Sequence, residues 1–487
     1  HLDGLPLAIE LAAARTRFLP PAAILARLDE RIALLSGGPR DLPGRHQSIE
    51  AAIAWSDELL ALPERSAFRR LSVFHAPWTA ADAAAAGAAL PQDLDRLASH
   101  SLLRREPGPG GETRFRMLET VRAFAAERLA EDPAALAAAR DGHAAWVDAF
   151  VAEHENRAAA VHRGGLFDRR LEDILAAIAW RDAAGRPADG LRTAIRLGWY
   201  WYLRGRIPLG ARLLAPVEGE TGAALPPPAR AAGLSMLGLL RMNLGDLDPA
   251  ARVLAAAGDA FRALGDEDGE LEVREHLADL ALQRGDLAGA RTLRTALLDR
   301  HRAAGDAVQV ASAMNNLAEV EQLAGDDAAA LALLAAARAA AAGSPDRLTS
   351  SLIAGNLGSL GAAMLLAARP DAPPPAEVRA RCRENLQYSR ETGDAYGVLA
   401  GFLAAAALAL ARVPEADPAA AARLLAAAEA VSAASGIAVA GVEALRRDLV
   451  RDRLVAALPP GDLAAALAAG RALSEDAAAS LALAFME

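Results

Sequence analysis

The chain has 487 residues, of which 53% are hydrophobic but only 4% aromatic, with a net charge of −10 and a single cysteine, Cys382. All 52 basic residues are arginine. The lack of lysine excludes a phosphate-binding loop of the G-x-x-x-x-G-K-[ST] kind and Schiff-base chemistry, the lone cysteine excludes an intrachain disulfide, and the acidic balance argues against broad non-specific nucleic-acid binding.

The length suggests roughly three domains at about 150 residues each. Ala and Leu fill the gap between the hydrophobic and aromatic shares, and both are strong helix formers, so a mainly α fold is expected. A charge-free stretch of about 18 apolar residues is missing apart from Ala-rich runs, so no membrane span is expected. No signal peptide is visible, and a cytoplasmic location fits. The chain opens at His1 inside a motif and reads as a fragment of something longer.

Residues 1–44 read as helices punctuated by Pro20-Pro21 and closed by Ser36-Gly37-Gly38-Pro39. Ile49, Ala52, Ile53 and Leu59-Leu60 then mark a helix. Leu71-Ser72-Val73-Phe74 is a short apolar run that fits a strand, and a further helix covers about 92–100. Leu102-Leu103-Arg104-Arg105 and Arg114-Phe115-Arg116-Met117 flank the loop Pro107-Gly108-Pro109-Gly110-Gly111, which predicts a hairpin. Helices followed by a hairpin make a winged-helix pattern over 45–131, closed by a long helix from Leu118 to Leu129. Arginines and acidic residues nearly balance in this segment, so packing or regulation fits it better than reading DNA.

The remainder is helix after helix with one regularity. Gly205-Arg206, Gly245-Asp246, Gly285-Asp286 and Gly325-Asp326 lie 40 residues apart, and Gly265-Asp266 and Gly305-Asp306 lie midway. Ala250, Ala290 and Ala330 follow the first set, with Gly210 in that place in the first unit. Gly ends one helix in the left-handed conformation, Asp caps the next, and the small residue lets the two pack closely. Each unit is a helix pair, and stacked pairs make a TPR-like α-solenoid over 132–419. The run Pro370 to Pro375 reads as a loop, and residues 420–487 as capping helices.

Chemistry-bearing clusters are few. His143, His154 and His162 are offset by 11 and 8 residues, which does not make an i, i+4 metal pair. No G-x-S-x-G elbow occurs, and Cys382 has no partner that the sequence identifies. Trp199, Tyr200, Trp201 and Tyr202 concentrate aromatics at the solenoid's start. Core packing is their ordinary role; a partner-binding face is the functional alternative.

Several motifs carry a family resemblance. Leu2-Asp3-Gly4-Leu5-Pro6-Leu7-Ala8 resembles the GLPLA motif of the NB-ARC class of STAND ATPases. Arg45-His46-Gln47-Ser48 with Trp55-Ser56, Leu71-Ser72-Val73-Phe74, and Arg114-Phe115-Arg116-Met117-Leu118-Glu119-Thr120-Val121-Arg122 resemble segments of the bacterial members. The repeats are similar to those of LuxR-type and SARP-type regulators. The resemblance implies a nucleotide switch in a full-length parent, with ADP or ATP held by an upstream P-loop domain, a winged helix closing over it and repeats sensing a signal. It implies that Pro6 packs near adenine. It also sets Met117, Leu118 and Glu119 on the family's M-H-D motif, so that Leu118 stands where a His would contact the β-phosphate.

The resulting expectation has four parts: residues 1–44 as the end of the NB-ARC helical module, 45–131 as a winged helix, 132–419 as TPR-like repeats and 420–487 as the cap. The chain is expected to be no enzyme and to hold no cofactor alone. It is expected to take a protein, peptide or small-molecule inducer on the solenoid, and to reach DNA only through a domain outside this chain. A free-standing TPR interaction scaffold is the alternative.

Overall fold

Prolines open many of the helices, and left-handed glycines follow the ends of many others. The computed structural model describes residues 49–58, 60–108, 111–155, 157–411 and 416–487. Pro6 and the GLPLA-like run, with Arg45 to Ser48, lie outside these residues. The described residues pack as two compact units, those up to 153 with 165–190, and those up to 164 from 154 with 191–487. This grouping places residues 133–153 with the first unit, whereas the sequence reading drew a boundary after 131.

The first unit contains α1 (Ile49–Glu58), α2 (Leu62–Leu71), β1 (Trp78–Thr79), α3 (Ala80–Ala85), α4 (Pro91–Ser99), β2 (Arg104–Pro107), β3 (Thr113–Arg116), α5 (Glu119–Ala130), α6 (Pro133–His154) and most of α7 (Arg157–Ala183). The hairpin forms as the Pro/Gly loop predicts: β2 pairs antiparallel with β3, matching Arg104 with Arg116 and Arg105 with Phe115. A third strand joins from the far side, giving the order β1-β3-β2. The expected strand at Leu71–Phe74 is absent. Leu71 is instead the last residue of α2, and Ser72 turns the chain there, its hydroxyl donating to Arg69 O at 2.7 Å. Leu71, Val73 and Phe74 are apolar because they face the core of a helix–turn corner, not because they pair in a sheet. That core stacks Phe68 on Phe124 at 6.5 Å and Phe74 on Trp78 at 5.1 Å.

The second unit opens with the end of α8 (Pro187–Arg196), then α9 (Gly198–Leu203), α10 (Ile207–Leu214) and the short α11 (Glu220–Ala223). Regular pairs follow: α12 (Pro227–Asn243) with α13 (Leu247–Leu264), α14 (Glu267–Gln283) with α15 (Leu287–Ala304), and α16 (Ala307–Leu323) with α17 (Asp327–Ala341). Then come α18 (Arg347–Leu366), α19 (Pro375–Thr392), α20 (Ala395–Ala411), α21 (Pro418–Ser435), α22 (Gly441–Ala457), α23 (Pro460–Arg471) and α24 (Glu475–Phe485).

The repeat signal is carried at the turns. Gly205, Gly245, Gly285 and Gly325 all sit between helices with φ of 60°, 84°, 78° and 83°. Asp266, Asp286, Asp306 and Asp326 each accept a backbone N–H from the first turn of the next helix; for Asp286 the donor is Gly289 N at 2.9 Å. Asp246 holds the same position without a side-chain cap bond. Ala250, Ala290 and Ala330 are fully buried where the helices of a pair meet. Small residues also allow close approach inside helices: a Cβ on Gly238 would lie 2.5 Å from Leu254. Burying little area per residue, such interfaces gain stability by close contact along whole helices.

Helix α18 is long and apolar enough to cross a membrane by composition. Its Ile353, Leu357, Leu360 and Met364 pack into a core with Leu334 and Ala337 of α17, which accounts for their hydrophobicity.

Candidate functional site

In a helix-turn-helix, the second helix is the one laid in the major groove. Here α3, the turn after it and α4 form that motif. Helix α4 carries Asp93, Asp95 and Arg96 outside its buried Leu94 and Leu97. Asp93 caps its own helix by accepting from Leu90 N at 3.0 Å. Arg96 donates to Glu64 at 2.5 Å, and Arg105 of the hairpin donates to Asp95 at 2.7 Å. The Ala61 amide and Arg96 together hold the Glu64 carboxyl below its usual range. A groove-reading face needs free cations, and this one spends its cations on its own carboxylates. Arg104 and Arg116 are the exception: they are exposed, opposite each other on the hairpin.

The M-H-D-like segment lies at the start of α5. Met117 is buried, Leu118 is the N-cap residue, and Glu119 takes two bonds from Arg122, at 2.7 and 3.1 Å. A leucine side chain offers a phosphate no donor, and Glu119 is a carboxylate already engaged. These two residues therefore do not fit a nucleotide phosphate.

A polar clasp ties α6 and α7 to the segment between α2 and β1. Asp173, fully buried, accepts from His75 N at 2.7 Å and Ala76 N at 3.4 Å, and meets His143 Nε2 at 3.2 Å. Arg170 donates to Pro77 O at 2.7 Å and to Asp82 at 2.6 Å, and Trp146 Nε1 donates to the same Asp82 at 3.2 Å. Of the histidines weighed from sequence, His143 is thus a structural partner. Among the described residues no group of three or more His, Cys, Asp or Glu is arranged for a metal.

At the start of the solenoid the four aromatics divide. Tyr200 and Trp201 are buried, with Trp201 Nε1 donating to Ala194 O at 2.9 Å. Gly210 stands where α10 crosses this indole, since a Cβ there would lie 2.5 Å from Trp201 Cβ. Burial removes Tyr200 and Trp201 from any partner-binding face. Trp199 and Tyr202 are half-buried and form an edge-to-face pair at 6.0 Å. Cys382 is buried, and desolvation pushes its thiol up to about 12, so it is a packing residue.

A further cluster of buried and half-buried charge, which the sequence reading misses, spans α14, α15, α16 and α22. Arg294 of α15 is buried and paired with Asp279 of α14. Glu319 and Gln322 project from α16 toward α22. There Arg446 donates to Glu443 at 2.7 Å and to Gln322 at 3.1 Å, while Tyr396 of α20 donates to Glu443 at 2.6 Å. Burial raises the Glu319 carboxyl to about 7, and the Glu443 charge adds to it. Burial likewise raises Glu275 of α14. Desolvation, then Glu443 and Glu319, hold the Tyr396 phenol well above its ordinary value, and Tyr202 contributes. A signal for this site does exist in the sequence: Asn315, Glu319 and Gln322 fall at i, i+4, i+7, a polar stripe on one helix face. Glu275 and Asp279 precede Asn315 and Glu319 by the 40-residue period.

Residues 60–130 match the family described as "Winged helix-turn-helix domain". A Mycobacterium tuberculosis protein that carries the name HTH-type transcriptional regulator is 35% identical over 219 residues, covering 43% of this chain and 24% of that protein. A second, uncharacterised M. tuberculosis protein is 38% identical over 141 residues, covering 27% of this chain and 35% of its own length. The chain thus spans about a quarter to a third of the length of these relatives. A solved Pyrococcus horikoshii STAND protein with a tetratricopeptide repeat sensor aligns over 96% of this chain and 72% of its own at 14% identity and a TM-score of 0.39. The chain carries a winged helix-turn-helix domain and a TPR-like helical-repeat unit, and it is homologous to proteins named as HTH-type transcriptional regulators.

Proposed function

We propose that this chain is the regulatory and sensor portion of a STAND-type signalling protein that controls transcription. In this reading the winged helix is a packing module, the solenoid takes a protein, peptide or small-molecule inducer, and DNA is reached through a domain outside residues 1–487. ADP or ATP belongs to an upstream P-loop domain of the parent, because this chain has no lysine for a P-loop and the Leu118 side chain has no donor for a phosphate. The observation that supports it most is the α4 face. Its acids and the ion pairs Arg96–Glu64 and Arg105–Asp95 leave a groove-reading helix without free cations.

A mobility-shift titration of the full chain with random-sequence duplex DNA at about 50 mM salt tests it, since phosphate contacts are strongest there. The expected result is no shift at micromolar protein. A shift that disappears in Arg104→Ala/Arg116→Ala would show the hairpin gripping DNA and would overturn the packing role.

A further inference from the structure

Helix α22 buries one stripe, Val442, Glu443, Arg446, Val450 and Leu454, but its two ends meet different surroundings. Val450 and Leu454 lie in the apolar core with Phe402, Leu403, Leu424 and Leu425 of α20 and α21. Glu443 and Arg446 instead reach Gln322, which is 124 residues away in sequence, and Tyr396. The connection into α22 reaches further back, Ala438 N donating to Asn243 O of α12 at 3.0 Å. The first turn of α22 abuts Glu319: a Cβ on Gly441, which holds φ at 58°, would lie 3.0 Å from Glu319 Oε1.

We propose that α22 is a built-in latch on the repeats: its leading turns, through Glu443 and Arg446, cover the polar stripe of α16 and can lift off while Val450 and Leu454 stay anchored. The stripe that a ligand of the solenoid would meet on α16 is then already taken by the chain's own C-terminal region. The latch is a property of the fold, whether or not an inducer is what lifts it.

Charge decides what loosens it. The groups around Glu319 are Glu443 and Arg446 of α22, Arg294 of α15, Asp279 of α14, and Tyr396 and Gln322 nearby. Glu319, Glu443 and Asp279 together face two arginines, so one carboxylate is in excess when all are ionised. A proton on Glu319 removes the excess. Its carboxyl rises from 4.5 to about 7 in the closed latch. A raised acid contributes its stabilisation fully below 4.5 and loses it as pH climbs through 7. Closure therefore weakens on the alkaline side. If the lifted state restores the ordinary value, the opening equilibrium grows about tenfold between pH 6 and pH 8.

Hydrogen exchange of the full chain, corrected for the intrinsic rate, reads this directly. Amides of 441–448 should lose about tenfold protection from pH 6 to pH 8, while those of 450–457 hold theirs. Glu319→Gln, which keeps a neutral side chain of the same shape, should flatten the pH dependence. Tyr396→Phe removes a hydrogen bond to Glu443 and should lower protection of 441–448 at both pH values. Equal protection at both pH values, an unchanged pH dependence in Glu319→Gln, or loss spread evenly over the whole of α22 would each overturn the latch.

Discussion

The two units hold themselves together by opposite means. The first depends on a few contacts that occur once and join residues far apart in sequence, above all Asp173 with the amides of His75 and Ala76. The second repeats one local device, a left-handed glycine and a capping aspartate, at every turn from Gly265 to Asp326. A unique contact concentrates stability where a single lesion can remove it. A repeated one spreads it, because a solenoid's stability approximates a sum over units and their neighbours.

The largest effect should come from the unique clasp. Asp173→Ala leaves the buried Ala76 amide, the partly buried His75 amide and buried His143 without their acceptor, and a loss of about 3–5 kcal/mol is expected from removing one partner of such a network. Chemical denaturation followed by the tryptophans of the first unit would measure it. A loss below about 1 kcal/mol would break the contrast, since that is the scale of one ordinary hydrogen bond.

A repeat lesion should cost less. At Gly285, with φ at 78°, a Cβ would meet nothing within 4 Å, so the penalty is backbone strain alone. Gly285→Val should cost about 1–2 kcal/mol, with faster hydrogen exchange confined to α14 and α15. Cooperative loss across the whole repeat unit would show that the repeats do not behave as separable increments.

The smallest effect sharpens the comparison within the repeats. Asp286→Ala removes a cap bond to Gly289 N and should cost about 1 kcal/mol, whereas Asp246→Ala, which removes none, should cost less than about 0.5 kcal/mol. Equal losses would mean that the cap bond is not what the aspartate contributes.

Legibility followed the same division. The helix pairs could be read because their information is local: Gly285 and Asp286 specify a turn from two adjacent residues. The hairpin could be read from its Pro/Gly loop for the same reason. The run Leu71–Phe74 misled because an apolar quartet has no period of its own and fits a helix end as well as a strand. Asp173 left no trace in sequence because its partners lie 97 and 98 residues away. Glu319 and Gln322 did form a visible stripe on α16, but only the position of α22 shows what the stripe is for. In the aromatic run, sequence indicated an inward and an outward side without telling which was which. The buried Tyr200 and Trp201 and the half-buried Trp199 and Tyr202 are decided by how α9 packs.

That aromatic run has an optical consequence. No tryptophan occurs after Trp201, so everything from Tyr202 to Glu487 is dark to indole emission. Trp201, buried and hydrogen-bonded to a carbonyl, emits from a dry site, while Trp199 beside it keeps some contact with solvent. Ultraviolet excitation of the second unit therefore reports on its first turns, with one blue-shifted and one red-shifted lamp two residues apart. The repeats beyond them are free to accept an introduced fluorophore without background.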